Sequence, residues 1–321
     1  MSAPRSLSPS TLLMLSLPPL LWAGNAVVGR LMVGQIAPLA LSFCRWFFAL
    51  LAVLPFTVAP LWRGRALLRR HWKVLARQGL LGVTCYNSIQ YVALHSTTPL
   101  KVSLITSASP VFVTLLGALL FGEAIGLSAW LGSLLSVAGV AVVVTEGHLQ
   151  RLAGLHLARG DLMMLVAVFL WALYTWDLRR HPVALPRLSL LAAQMAWGTL
   201  FIVPLAAYER WGLGEVTHWT PRVALAVAYV ALLASVLAYA CWGAAVARVG
   251  AQIPSYFGNL APVFAALLAY AMLGERIAGY HVVGALLIFA GIHVALRGRA
   301  SQRVAAQPAG ATGAQDGQRK E

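Results

Sequence analysis

The chain has 321 residues and a formal charge of +15, with 60% hydrophobic residues and only 10% charged ones. A soluble globular chain carries about 25% charged residues, so too little polar surface is present to keep a compact body of this size dissolved. These figures argue against a soluble enzyme, a disulfide-rich secreted scaffold or a disordered protein. In so apolar a chain the basic excess points to the cytoplasmic face of a membrane rather than to nucleic acid.

A membrane helix needs about 20 mostly apolar residues. Such stretches fall at roughly 11–33, 37–57, 74–96, 99–121, 126–146, 161–178, 186–208, 222–247, 250–272 and 278–297, which predicts ten spans. Arg5 precedes an apolar run as in a signal peptide, but that run reaches Val33, so it reads as the first span. Thr97, Thr98 and Pro99 suit a tight turn between the third and fourth spans, and Gly122 with Glu123 suits another before the fifth. The Ala-, Gly- and Gln-rich segment 298–321 reads as a disordered cytoplasmic tail. Cys44, Cys85 and Cys241 all fall within spans, as reduced and packed thiols would.

Basic residues set the expected orientation. The second connection holds Arg63, Arg65, Arg69, Arg70, Lys73 and Arg77, and the sixth holds Arg179, Arg180 and Arg187. With Arg248 and the termini, that side carries sixteen basic residues against seven on the other, so both termini are expected in the cytoplasm.

The two halves repeat. Pro110-Val111-Phe112 followed by Gly122-Glu123 matches Pro262-Val263-Phe264 followed by Gly274-Glu275 at an offset of 152, and Gly132 and Gly139 continue onto Gly284 and Gly291. Upstream, Leu21-Trp22-Ala23 matches Leu170-Trp171-Ala172 at an offset of 149. The repeats cover 11–146 and 161–297, with five spans each. Five is odd, so the second copy enters the membrane from the opposite side. The predicted fold class is an all-α integral membrane protein of ten helices in two inverted five-helix repeats, an arrangement associated with alternating-access transport around a site between the repeats.

On these residues the chain resembles the drug/metabolite transporter superfamily, and within it the EamA-domain branch, over about 11–297. The aromatic crowding described next is similar to that of bacterial amino-acid exporters of the YddG type. The resemblance implies export of small metabolites from the cytoplasm across the inner (plasma) membrane, and packing of the repeats by the helices that carry the Pro-to-Gly-Glu signature. In this family the small-residue faces at Ser128, Gly132 and Ser136, and at Gly284 and Gly291, suit packing within the monomer or a homodimer contact.

Polar side chains in a bilayer are costly unless they face a cavity or a partner. Tyr86, Asn87, Gln90, Tyr91 and His95 form one stripe on the third span, and Ser235, Tyr239 and Trp242 share a face of the eighth. The fourth span offers Ser103, Thr106, Ser107 and Pro110, and the ninth Gln252, Ser255, Tyr256 and Asn259. The first and sixth add Trp22 with Asn25, and Trp171 with Tyr174 and Thr175. The expected substrate-binding residues are Trp22, Asn25, Tyr86, Asn87, Gln90, Tyr91, Ser107, Trp171, Tyr174, Tyr239, Trp242, Tyr256 and Asn259. The competing role of the amides is interhelical hydrogen bonding, and that of Trp62, Trp72, Trp130, Trp211 and Trp219 is anchoring at the membrane interface.

Pro110, Glu123, Pro262 and Glu275 are expected to serve gating or structure. The prolines would bend their helices, and the glutamates would satisfy the N-terminal amides of the following helix or couple to protons. Arg45, inside the second span, either extends to an interface or lines the cavity; Asp177 is expected to pair locally with Arg179 and Arg180. No phosphate-binding loop, metal-ligand spacing or buried catalytic set stands in the sequence, so no cofactor, metal or enzymatic activity is expected. The function expected is export of small metabolites, best of all amino acids including aromatic ones, from a bilayer-embedded monomer or homodimer. The alternatives are a multidrug or lipid-like cation exporter and a membrane-embedded transferase.

Overall fold

The computed structural model describes residues 8–97, 99–123, 126–148, 150, 158–273 and 277–305. It is all-helical, and eight helices among the described residues are long and apolar enough to cross a membrane. The other two predicted spans are present in a different form. α1 runs Pro9–Leu31, started by Ser8, whose side chain accepts from the Thr11 amide, and by a proline at the first turn. α2 covers Pro38–Arg63 and leads through a short α3, Arg65–Arg70, into α4, residues 72–93. α4 is composite: Trp72–Gln78, a π-helical turn Gly79–Cys85, then Tyr86–Ala93. Its polar residues keep it below the apolarity of the other spans. The fourth span consists of α5, Pro99–Thr106, and α6, Ser109–Phe121, and the fifth is α7, Leu127–Val144.

The second half follows the same plan: α8 at Arg159–Arg180, α9 at Arg187–Ala207, and α10 over Pro221–Val249 with a π-helical turn at Leu232–Leu237. The ninth span is α11, Gln252–Gly258, plus α12, Ala261–Leu273, and the tenth is α13, Gly279–Ala305. α13 continues eight residues beyond the expected start of the tail at 298. Residues 306–321 and Glu275 lie outside the described residues.

Both breaks in the spans have the same cause. Pro110 and Pro262 lack an amide hydrogen and their rings press on the preceding turn. The helix accordingly yields two or three residues earlier, at Ser107–Ala108 and at Asn259–Leu260, positions related by the offset of 152. The π-helical turns at Gly79–Cys85 and Leu232–Leu237 also fall at matching places in their repeats, and a third, Tyr208–Gly212, follows α9.

The helix contacts obey the same exchange. Among the described residues α7 and α13 form the most extensive helix pair. A Cβ placed on Gly132 would lie 2.6 Å from the Gly291 carbonyl oxygen, and one on Gly139 2.7 Å from that of Gly284. Adding 152 to one member of each pair and subtracting it from the other turns the first contact into the second. Residues on the axis of such an exchange must meet their own counterparts. Ser136 Oγ donates to Ile288 O at 3.5 Å, Asn87 Nδ2 donates to the Tyr239 hydroxyl at 2.8 Å, and the rings of Trp22 and Trp171 lie 5.3 Å apart. The repeats are therefore related by a pseudo-two-fold axis, and their odd helix number makes them inverted.

One end of α2 is capped from the other repeat. Its first amides have no side-chain cap of their own. Instead, buried Glu209 accepts from Leu39 N at 3.0 Å and Ala40 N at 2.8 Å, one oxygen to each. Glu209→Gln turns an NH2 toward one of these donors. The expected result is a loss of about 2 kcal/mol, in the range for an unsatisfied buried donor, measured as a lower unfolding midpoint in detergent.

Candidate substrate cavity at the repeat axis

A cavity of about 410 Å³ opens between α1, α4, α5–α6, α8 and α11–α12. Its volume is within the range of small-molecule sites. Trp22, Trp171 and Trp242 form its floor, and Glu146, Tyr280 and His281 stand at the far end, near the loops that follow α7 and precede α13.

The floor is a knot of rings on the axis. Trp171 lies 5.3 Å from Trp22, 5.1 Å from Trp242, 4.9 Å from Tyr86, 5.1 Å from Tyr174 and 5.5 Å from Tyr239, mostly tilted or edge-on. Such geometry is favourable beyond the area it buries. Trp22 Nε1 donates at 3.0 Å to Ala234 O, inside the π-helical turn of α10. π turns recur where helices carry functional groups.

Of the residues expected to meet substrate, Trp22, Tyr86, Gln90, Ser107, Trp171, Trp242 and Asn259 line this cavity, as does Pro262. The others have protein partners. Asn87 is held by Tyr239, whose hydroxyl donates to Gly82 O at 2.8 Å. Tyr174 donates to Gln194 at 3.4 Å, and Tyr256 donates to Ala129 O at 3.1 Å, tying α11 to α7. Asn25 and Tyr91 belong to the shell of Arg45. Pro110 shapes the break in the fourth span.

Arg45 takes neither course expected of it. It is completely buried, reaches no interface and is not part of the cavity wall. Its Nε donates to Ser235 Oγ at 2.5 Å, Nη1 to Asn25 Oδ1 at 2.9 Å and the Tyr91 hydroxyl at 3.0 Å, and Nη2 to Ala234 O at 3.0 Å. The guanidinium also lies 4.9 Å from the ring centre of Trp46. Among the described residues no carboxylate pairs with it. By the offset of 149, Arg45 corresponds to Gln194 and Asn25 to Tyr174. The Arg45–Asn25 and Tyr174–Gln194 bonds are thus counterparts, and only the first repeat carries the cation.

Below the floor, ion pairs close the opposite end. Asp177 pairs with Arg77 at 2.5 Å and His181 at 2.8 Å, rather than with its neighbours Arg179 and Arg180. Glu123 pairs with Arg180 at 2.7 Å instead of capping α7, because Arg180 Nη2 reaches back to Phe121 O at the end of α6. At the cavity's open end Asp161 accepts from Thr97, from Lys101 at 3.0 Å and from the Ala158 amide at 2.8 Å. Serine and histidine lining positions that the sequence reading passed over are Ser109, which continues the three-residue spacing of Ser103 and Thr106, and His281. Four residues of the wall carry a buried polar group without a partner among the described residues: Thr106 Oγ1, Ser109 Oγ, Trp242 Nε1 and Asn259 Nδ2. In the same set no group of three His, Cys, Asp or Glu side chains converges to hold a metal.

This fold and this cavity define a multi-pass membrane transporter built of two inverted repeats. The family model for the EamA-like transporter family matches residues 9–145 and 158–297, one match for each repeat. The chain belongs to that family. An "Uncharacterized transporter" of Archaeoglobus fulgidus is 30% identical over 287 residues, covering 88% of this chain and 96% of the relative. A "Probable amino-acid metabolite efflux pump" of Salmonella typhimurium is 26% identical, covering 88% and 94%, and one of Escherichia coli is 25% identical, covering 85% and 90%. A solved crystal structure superposes with a TM-score of 0.71 at 22% identity, over 93% of this chain and 99% of that one, a likeness of fold alone.

Proposed function

We propose that this transporter exports amino acids or amino-acid metabolites, aromatic ones included, by alternating access of its two repeats. The observation that carries the reading is the cavity on the repeat axis, with an aromatic floor for apolar side chains and the amide and hydroxyl residues Gln90, Ser103, Thr106, Ser107 and Asn259 for a polar end. The names of the efflux pumps similar to it point the same way. With both termini in the cytoplasm of a cell whose inner membrane holds the protein, the end marked by Glu146 and His281 faces outward and the Arg77–Asp177 end faces inward. The structure is then the outward-facing state. Transport rocks the repeats about the axis, bending at Ser107–Ala108 and Asn259–Leu260, and exchanges the closed end. Cation export is the weaker reading, because among the described residues no carboxylate stands at the floor, and Glu146 lies at the far end of the cavity.

The test is efflux from cells that lack their own amino-acid exporters and are loaded with Phe-containing dipeptides. Expression of the chain is expected to raise the initial rate of phenylalanine release several-fold over an empty vector. Equal release with and without the protein, verified to be in the membrane, would remove the amino-acid reading.

A further inference from the structure

We infer that Arg45, without touching the substrate, sets the polarity of the cavity wall so that it selects compounds bearing a carboxylate. The inference rests on the transport reading above and deepens it by assigning a subsite.

A guanidinium has donors only and stays charged. Whatever Arg45 meets must therefore present an acceptor. Asn25, 2% exposed, answers with Oδ1, which also accepts from the Tyr91 hydroxyl at 2.8 Å. That leaves Asn25 Nδ2 facing α4, where it donates to Gln90 Oε1 at 3.3 Å. Gln90 is 6% exposed and lines the cavity, and with Oε1 taken by Asn25 its Nε2 is the end left for the cavity. One charged group that cannot accept thus orients two amides in series, and the last one offers a hydrogen-bond donor to the cavity. Neither amide can turn over without setting N–H against N–H.

Two further observations point the same way. Trp242 and Asn259, each 2% exposed and part of the cavity wall, carry buried donors, Nε1 and Nδ2, that have no acceptor among the described residues. Among the described residues the buried charge of Arg45 has no carboxylate to offset it, so its field is felt in a region that water screens poorly. Beside this cation, the donor that Gln90 turns to the cavity favours a carboxylate over a carboxamide or a cation, with the carboxylate of Glu146 kept to the far end of the cavity. The repeat counterpart Gln194 supplies no such charge, so the site is asymmetric although the scaffold is not.

The experiment uses the full chain in nanodiscs and equilibrium binding of four probes: phenylalanine, phenylalaninamide, 3-phenylpropionate and 3-phenylpropionamide. For the native protein each carboxylate is expected to bind at least tenfold tighter than its amide. Asn25→Asp gives Arg45 a carboxylate partner and presents only acceptors to Gln90, which then turns its Nε2 inward and its oxygen to the cavity. The expected result is a carboxylate-to-amide preference lowered at least tenfold, with amide affinity kept or raised. Gln90→Met, which removes the donor without a new charge, should lower the preference several-fold and serves if the first variant does not fold.

Equal affinity for acid and amide in the native protein, or an unchanged preference in a folded variant, overturns the inference while leaving amino-acid transport standing. Binding of phenylpropionate without phenylalanine does the reverse. Failure of both carboxylates to bind also overturns the inference, and efflux then decides the transport reading separately.

Discussion

Trp171→Ala is expected to abolish transport and to destabilise the protein by about 4 kcal/mol, the range for removing a large buried aromatic. Trp171 is 5% exposed and meets five other rings at centroid distances between 4.9 and 5.5 Å. It belongs both to the cavity floor and to the pseudo-two-fold axis that relates the repeats. A loss of stability alone would not separate these roles, so Trp171→Phe is the informative partner. Phenylalanine keeps most of the ring contacts and loses area at the floor, so the variant should fold with a loss of about 1–2 kcal/mol, as for an imperfect core swap. Its apparent affinity for substrate should still fall several-fold. Wild-type efflux from Trp171→Ala, at matched amounts of folded protein, would show that the floor does not meet the substrate.

The second large effect lies away from the cavity. Gly139→Leu should cost about 3 kcal/mol, the upper part of the range for overpacking, and should lower the yield of folded protein. Its Cβ would sit 2.7 Å from Gly284 O and 2.9 Å from Ile288 N, both backbone atoms of α13, so no side-chain rotation relieves the clash. The exchange symmetry extends the prediction. Gly291→Leu should behave alike, since a Cβ there meets Gly132 O at 2.7 Å. Gly243→Ala is the control, because nothing stands within 4 Å of its Cβ, and a helical Gly→Ala change is neutral or stabilising by up to about 1 kcal/mol. Unfolding in detergent monitored by far-ultraviolet circular dichroism compares the three. An unchanged midpoint for Gly139→Leu would contradict the close α7–α13 packing.

Much of this architecture is legible in the sequence because it is written twice. Trp22 and Trp171, Pro110 and Pro262, and the paired glycines each identify a position by its copy, and the odd number of spans fixes the inversion. The breaks at Ser107 and Asn259 follow from the prolines two or three residues on. What could not be read is partnership across the fold. A polar stripe on α4 shows that one face avoids lipid, yet Gln90 turns to the cavity, Tyr91 to Arg45 and Asn87 to Tyr239. These residues differ in partner, and no spacing within one helix encodes a partner on another. The same holds for Glu209, whose role at the N-terminus of α2 spans 169 and 170 positions of sequence. The π-helical turns have no periodicity that distinguishes them from the α-helix around them. In sequence Asp177 stands beside Arg179 and Arg180, whereas the packing of α4 on α8 brings Arg77 to it first.

The central claim is that two inverted repeats expose one axial site to each side of the membrane in turn. Counterflow tests it most directly. Purified protein is reconstituted in liposomes loaded with millimolar unlabelled phenylalanine, which are diluted into trace labelled phenylalanine without any imposed ion gradient. An alternating-access carrier must return with cargo from the side it last faced, so the label should accumulate transiently above its equilibrium level and then decline. Label that enters only to equilibrium, at a rate independent of the internal load, would contradict the account.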